Sequence, residues 1–304
     1  MPADHPAADD SAAKRNVLLR TVMFAALASG FFAAMHTGVR HISTGGMHPF
    51  EVAFFRNLFG FVALAPFLIR TGPAAFRTRR LGLHTLRGVF NGISVLAWFM
   101  ALSLLPVAEA TSLSLAGPVF VALGAMAFLG ERVDLKRWIG IAVVMAGGLL
   151  IVRPGIATIS LGVWLVLLQT AALTASKLVG KELTRTEEPD SIVAYLTLMM
   201  TVATFVPALF VWTWPTLEQL AWLVVIGVLG TVAHRFLVRA YVLSDVSLVD
   251  PLMFMRMTWA ALFGALAFGE FPGLFTWLGA GVILLGTILI TRRGARPGTV
   301  GGSG

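Results

Sequence analysis

The chain has 304 residues, 57% hydrophobic and only 12% charged, with a formal net charge of +8 and a mean hydropathy of +0.84. About a quarter of a soluble domain's residues are charged, so this chain cannot cover a surface that faces water on all sides, and it reads as an integral membrane protein. Its Lys and Arg fall between apolar stretches, so the basic balance reports topology and argues against nucleic acid as a partner.

No cysteine is present, which excludes a disulfide, a thiolate metal site and a Cys nucleophile. No metal or cofactor is expected. Residues 1–16 are polar and predict a disordered cytoplasmic tail; no short apolar stretch with a cleavage site follows, which argues against a signal peptide. Ten apolar segments come next, at 17–40, 50–70, 83–104, 107–129, 135–152, 159–179, 191–212, 217–240, 246–268 and 272–291. Each is close to the roughly 20 residues that a helix needs to cross about 30 Å of hydrocarbon. Gly and Pro separate many of them, as at Gly45-Gly46, Gly72-Pro73, Pro106, Pro154-Gly155, Pro189 and Pro215. The runs are too long for barrel strands and lack their alternation. Residues 294–304 are rich in Gly and predict a second disordered tail.

Orientation follows from the loops. With the N-terminus in the cytoplasm, fifteen Lys and Arg fall on the inner side, whereas the outer side holds Arg40 and Arg153. The positive-inside rule then places both termini in the cytoplasm. Trp212 and Trp214, at the outer end of the seventh segment, fit an interfacial aromatic belt.

One stretch occurs twice. Gly130–Arg153 returns as Gly269–Arg292 at a constant offset of 139, with ten of 24 positions identical, among them Gly130/Gly269, Glu131/Glu270, Trp138/Trp277, Gly140/Gly279 and Gly147/Gly286. Across 101–153 against 240–292 sixteen of 53 positions agree; the first two helices of each half show no clear echo. Five segments per half is an odd number, so the two copies cross in opposite directions. The first copy of the turn carries Arg132, Lys136 and Arg137 and the second carries no Lys or Arg, as an inverted repeat under the positive-inside rule requires.

These features, with the Gly-Glu turn before the last helix of each half, resemble the EamA-type family of the drug/metabolite transporter superfamily. The resemblance implies an all-α membrane fold of ten transmembrane helices, built as two inverted five-helix repeats (17–153 and 154–293) around a central cavity. It implies a small-metabolite carrier working by alternating access, with the cavity lined mainly by helices one, three, four, six, eight and nine, and helices five and ten as scaffolding. Small multidrug exporters of that superfamily use a carboxylate on the first helix for proton coupling. Here the first helix carries His36 instead, so that route is not supported.

Polar groups inside apolar segments need a partner or a cavity, because a charge at mid-bilayer costs about 2.5–3.5 kcal/mol on insertion scales. Arg256 lies near the middle of the ninth segment with no acid at its depth, and is the residue expected to hold an anionic group. Gln169 is a neutral partner at similar depth. Arg87, Asn91, Ser94 and Trp98 form one face of the third segment; Trp98 could stack on substrate, although helix packing explains the stripe equally well. Arg56 and Glu109 are at similar depth near the outer side, and Arg235 and Asp250 near the inner side. Each pair reads as a structural bridge or a gate. His36 and His234 are further gating or coupling candidates. Counted together, the interior leans positive.

The expected function is movement of a small organic metabolite with an anionic or zwitterionic group across the bacterial inner membrane, by export of an amino-acid-like or metallophore-like compound. Uptake of a vitamin or nucleotide-like cofactor is the alternative. An intramembrane enzyme is disfavoured, because no His-Glu-x-x-His, Gly-x-Ser-Gly or paired-Asp pattern occurs. A sensor or assembly subunit is disfavoured because all loops are short. The expected partners are a small-molecule substrate and the lipid bilayer, with the chain a monomer or homodimer.

Overall fold

Backbone N–H and C=O groups find no partner in hydrocarbon, so apolar segments of this length satisfy them internally as helices. The structure, a computed structural model, describes residues 6–71, 78–129, 135–152, 160–244, 249 and 252–291, and is all-helical over them. In chain order the helices are α1 (Pro6–Thr44), α2 (Pro49–Thr71), α3 (Leu81–Leu104), α4 (Val107–Ser114), α5 (Gly117–Leu129), α6 (Leu135–Val152), α7 (Leu161–Leu183), α8 (Pro189–Leu209), α9 (Leu217–Leu243), α10 (Met255–Phe268) and α11 (Leu274–Thr291). Among the described residues six stretches are long and apolar enough to cross a bilayer: Arg15–Thr44, Leu81–Leu104, Val107–Gly124, Leu161–Leu183, Ser191–Leu209 and Leu217–Leu243. Trp138–Val152, Met255–Phe268 and Leu274–Ile290 are shorter apolar helices.

Two expectations need correction. The polar stretch assigned to a disordered tail is helical from Pro6 onward. Proline is well placed in a first turn and the alanines at 7, 8, 12 and 13 favour helix. The fourth segment is two helices, broken at Leu115 and Ala116. Pro118 has no N–H and its ring would clash with the carbonyl four residues back, so it opens a new helix, α5. The ninth segment breaks at the equivalent place: Met253 and Phe254 form a turn before α10, and Leu115 plus the offset of 139 is Phe254.

Side-chain contacts give the helix directions. α1 runs against α9, with Thr21 bonded to Ser244 and Gly38 against Ile226. α3 runs against α7, with Asn91 bonded to Ser176 and Gly162 against Leu105. α2 runs against α8, joined by Asn57–Thr204 and by the buried carboxylate of Glu51, which accepts from the backbone N–H and hydroxyl of Thr213. Neighbouring Trp212 packs on Phe54 and Phe55. α3 runs alongside α8, where Gly88 and Gly92 meet Met199 and Ala203.

The duplicated stretches pack on each other. A Cβ on Gly140 would fall 3.1 Å from the carbonyl of Gly286, and one on Gly286 would fall 2.8 Å from the carbonyl of Gly140. Gly147 and Gly279 are related in the same way, at 2.7 and 2.6 Å. Each contact maps onto its reciprocal under the offset of 139, so α6 and α11 form a self-complementary antiparallel pair, and small residues let their backbones approach. The first Gly-Glu turn, at 130–131, lies outside the described residues. In the second, Gly269 caps α10 at a left-handed φ of 68°, which glycine adopts without strain.

Gly147→Ala should therefore lower stability in detergent by about 1–3 kcal/mol, and Gly286→Ala by a similar amount. Gly148→Ala, which meets nothing within 4 Å, should be near neutral. Thermal melts of the purified variants check all three.

Candidate functional site

The two helix breaks face each other. Ser114 is the last residue of α4 and Arg256 the second of α10, and the Arg256 guanidinium donates to the Ser114 hydroxyl at 3.5 Å. Its Nε is buried without a protein partner. Arg56, from α2, donates to the side chain of its neighbour Asn57 at 2.9 Å and lies against Gly230 of α9. Neither guanidinium meets a carboxylate among the described residues. His36, from α1, is buried with Nδ1 unpartnered, and Arg256, Arg56 and His234 are all close enough to act on it through their charge. His234 is exposed, and its Nδ1 lies 2.9 Å from the Gly230 carbonyl.

Rings complete the cluster. Trp98 stands edge-on to His36 with centroids 5.1 Å apart, and Phe32 edge-on to His234 at 4.9 Å. Phe32 also stacks toward His36 at 6.3 Å. Of the residues singled out in the sequence, Arg256, Arg56, His36, His234 and Trp98 are thus brought together from α1, α2, α3, α9 and α10. Phe32 shares the His36 side of the first segment, as its spacing of four residues predicts. Ser114 was missed, because a serine in an apolar segment carries no signal until the helix break is seen.

The remaining candidates go elsewhere. Asn91 donates to Ser176 at 3.2 Å, and Ser176 donates to the carbonyl of Arg87 at 3.2 Å, so this part of the α3 stripe binds α7. The Arg87 guanidinium sits over Gly180, with Nε and one terminal nitrogen unpartnered. Gln169 is buried on α7 and accepts from its neighbour Thr170 at 3.1 Å. The expected pairing of Arg56 with Glu109 does not form: Arg56 turns to Asn57 and α9, whereas Glu109 lines a separate cavity of about 440 Å³ with Pro106, Ile151, Gly264, Glu270 and Thr276. Similar depth does not fix which side of a helix a residue faces. Arg235 is exposed, and Asp250 lies outside the described residues.

Two further ties join the ends of α3 to the second half. At its C-terminal end Arg40 of α1 donates to the carbonyls of Leu102 and Leu105, pairs with Glu270 at 2.5 Å and covers the Phe268 ring. At its N-terminal end the buried His84 stacks on Tyr195 and lies 3.5 Å from Glu187 in the α7–α8 turn. Burial works against the Glu187 charge. Hydrogen bonds from the side chains of Thr78 and His84, the His84 charge and the Arg79 backbone outweigh it and hold the carboxyl below the usual carboxylate range.

Comparison with known proteins decides the family. The profile of the EamA-like transporter family matches twice, over residues 19–153 and 160–292. The chain belongs to that family. It is 35% identical to a riboflavin transporter of Rhizobium johnstonii over 247 residues, covering 81% of this chain and 82% of that one. An S-adenosylmethionine uptake transporter of Rickettsia bellii is 28% identical, over 80% of this chain and 84% of its own. A pseudopaline exporter of Pseudomonas aeruginosa is 27% identical, over 91% and 98%. A solved crystal structure matches with a TM-score of 0.59 at 17% identity, over 91% of this chain and 97% of that one, which shows the fold alone. This EamA-like protein is a membrane protein of a transporter family, with bacterial transporters among its relatives.

Two outcomes follow for the ties. Glu270→Gln should cost about 1.5–3 kcal/mol in thermal melts, and adding Arg40→Gln should restore part of it by removing the charge left unpaired. The folded-state pKa of Glu187 is depressed, so its contribution is fully present above the ordinary value of 4.5 and is lost as pH falls through the lower folded value. The stability gap between wild type and Glu187→Gln should therefore be full at pH 7 and close in acid.

Proposed function

We propose that this EamA-like protein is a secondary carrier that moves a small organic metabolite with at least one anionic group across the bacterial inner membrane by alternating access. The single observation behind the substrate charge is the meeting of Arg256 and Arg56 around His36 with no carboxylate partner among the described residues. A guanidinium in a water-poor interior calls for an anion, and the fork of Arg suits a carboxylate or phosphate. The helix breaks beside Arg256 and Ser114 follow the pattern of transporters whose discontinuous helices meet at a mid-membrane site between two repeats.

In this reading ten helices cross the membrane as two inverted halves, 17–153 and 154–293, with both termini in the cytoplasm and the chain a monomer or homodimer. The antiparallel and parallel pairings of the described helices fit that alternation. The Arg40–Glu270 tie then lies at the outer end and the His84–Glu187 tie at the inner end. The chemistry is movement of substrate without covalent change. Export of a metallophore-like or amino-acid-like compound has a precedent in the pseudopaline exporter, and uptake of a vitamin or nucleotide-like cofactor in the riboflavin and S-adenosylmethionine transporters.

Purified protein in proteoliposomes should carry at least one of a panel of radiolabelled amino acids, riboflavin-like vitamins and nucleotide cofactors; a silent panel counts against the carrier. Arg256→Gln should remove about 2–5 kcal/mol of anion binding and reduce flux to background, with insertion and elution profile unchanged. Normal flux in that variant removes Arg256 from the site.

A further inference from the structure

Resting on the carrier reading, we infer that the central site takes an organic anion bearing a flat apolar ring and no cationic group, and discriminates against zwitterions. The guanidiniums described there, Arg256 and Arg56, are each bonded to a neutral side chain, and no described carboxylate pairs with either. An ammonium placed a few ångströms from a bound carboxylate, as in an amino acid, would enter the same positive field.

Several backbone acceptors beside the arginines are already engaged. At the end of α4 the carbonyls of Ser112 and Leu113 accept from the N–H groups of Leu115 and Ala116, and the Thr111 carbonyl accepts from the Ser114 hydroxyl. Across the break, the carbonyls of Met253 and Phe254 accept from the N–H groups of Arg256 and Met257. The turns engage these carbonyls in hydrogen bonds of their own. The element beside them is the N-terminal end of α10, whose dipole favours an anion. His36 supplies a second, independent pointer to a polar ligand: its ring is 5% exposed and its Nδ1, which donates or accepts according to tautomer, has no protein partner. The ring preference comes from the walls, where Trp98 and Phe32 flank His36 and His234. Aromatic faces and edges reward a flat apolar body.

An indole series isolates the charge. Radiolabelled indole-3-acetate (anion), tryptophan (zwitterion) and tryptamine (cation) share one ring system. Binding to the purified full chain in detergent, read by scintillation proximity, avoids passive leak of the free acid through lipid. Hexanoate as competitor tests the ring, and phenyl phosphate against benzoate separates phosphate from carboxylate. Indole-3-acetate should bind at least about tenfold more tightly than tryptophan (about 1.4 kcal/mol), with tryptamine weakest and hexanoate a poor competitor. Arg256→Gln should collapse the preference; Arg56→Gln, which lies across the cluster, should reduce it and serves where the first variant elutes abnormally. Tryptophan or tryptamine binding as tightly as the anion overturns the assignment, as does a preference that survives both substitutions or a complete absence of binding. Flux of a zwitterion in proteoliposomes overturns it too while leaving the carrier standing, whereas a silent flux panel removes the carrier itself.

Discussion

A guanidinium in a hydrocarbon-facing bundle must be given either a counter-charge or a wet, polar enclosure, because its desolvation is otherwise uncompensated. The structure depends on how it meets this demand at Arg256 and Arg56. Each has only a neutral protein partner among the described residues, Ser114 and Asn57. Six helices converge to enclose them: α1 brings His36 and Phe32, α2 brings Arg56, α3 brings Trp98, α4 brings Ser114, α9 brings His234, and α10 brings Arg256. Helices that carry no charge into the centre, such as α6 and α11, are free to pack as tightly as glycine permits.

That division explains why the halves have kept one part of the duplication and lost another. α6 and α11 bury the same glycines against each other in reciprocal register. A self-complementary contact of this kind tolerates change in one copy only if the other adjusts, which holds both copies near a common pattern. The broken helices kept the break but not the chemistry: Leu115 and Phe254 correspond, whereas Arg256 has Gly117 as its equivalent in the first half. Symmetry is retained where the two halves touch each other and given up where they enclose something else.

The sequence alone made the class, the duplication and the opposing direction of the halves readable, because hydrophobic length, Lys/Arg asymmetry and a constant offset are one-dimensional signals. Arg256 stood out for the same reason, as an isolated charge at mid-segment. Facing was harder. Arg56 and Glu109 match in depth but turn to different neighbours, and Asn91 shares a helical stripe with Trp98 yet binds α7 while Trp98 meets His36. Depth counts residues along one helix; facing depends on which helices pack beside it, and the stripe on α3 is divided between neighbours. The break in the fourth segment had a local cause in Pro118, but its counterpart before α10 has no described proline, and only the equivalence of the two positions links them.

The loss of symmetry at 117 and 256 has an electrostatic logic. Two arginines at equivalent positions beside facing helix breaks would set like charges against each other in a medium of low dielectric, where their repulsion is screened poorly. One arginine opposite a glycine avoids that conflict and leaves room beside a single positive pole. The second guanidinium, Arg56, comes instead from α2 and approaches from the side of α9. The duplication thus supplies the frame and the opposed helix breaks, and residues from both halves, Arg56 in the first and Arg256 in the second, give the centre its polarity.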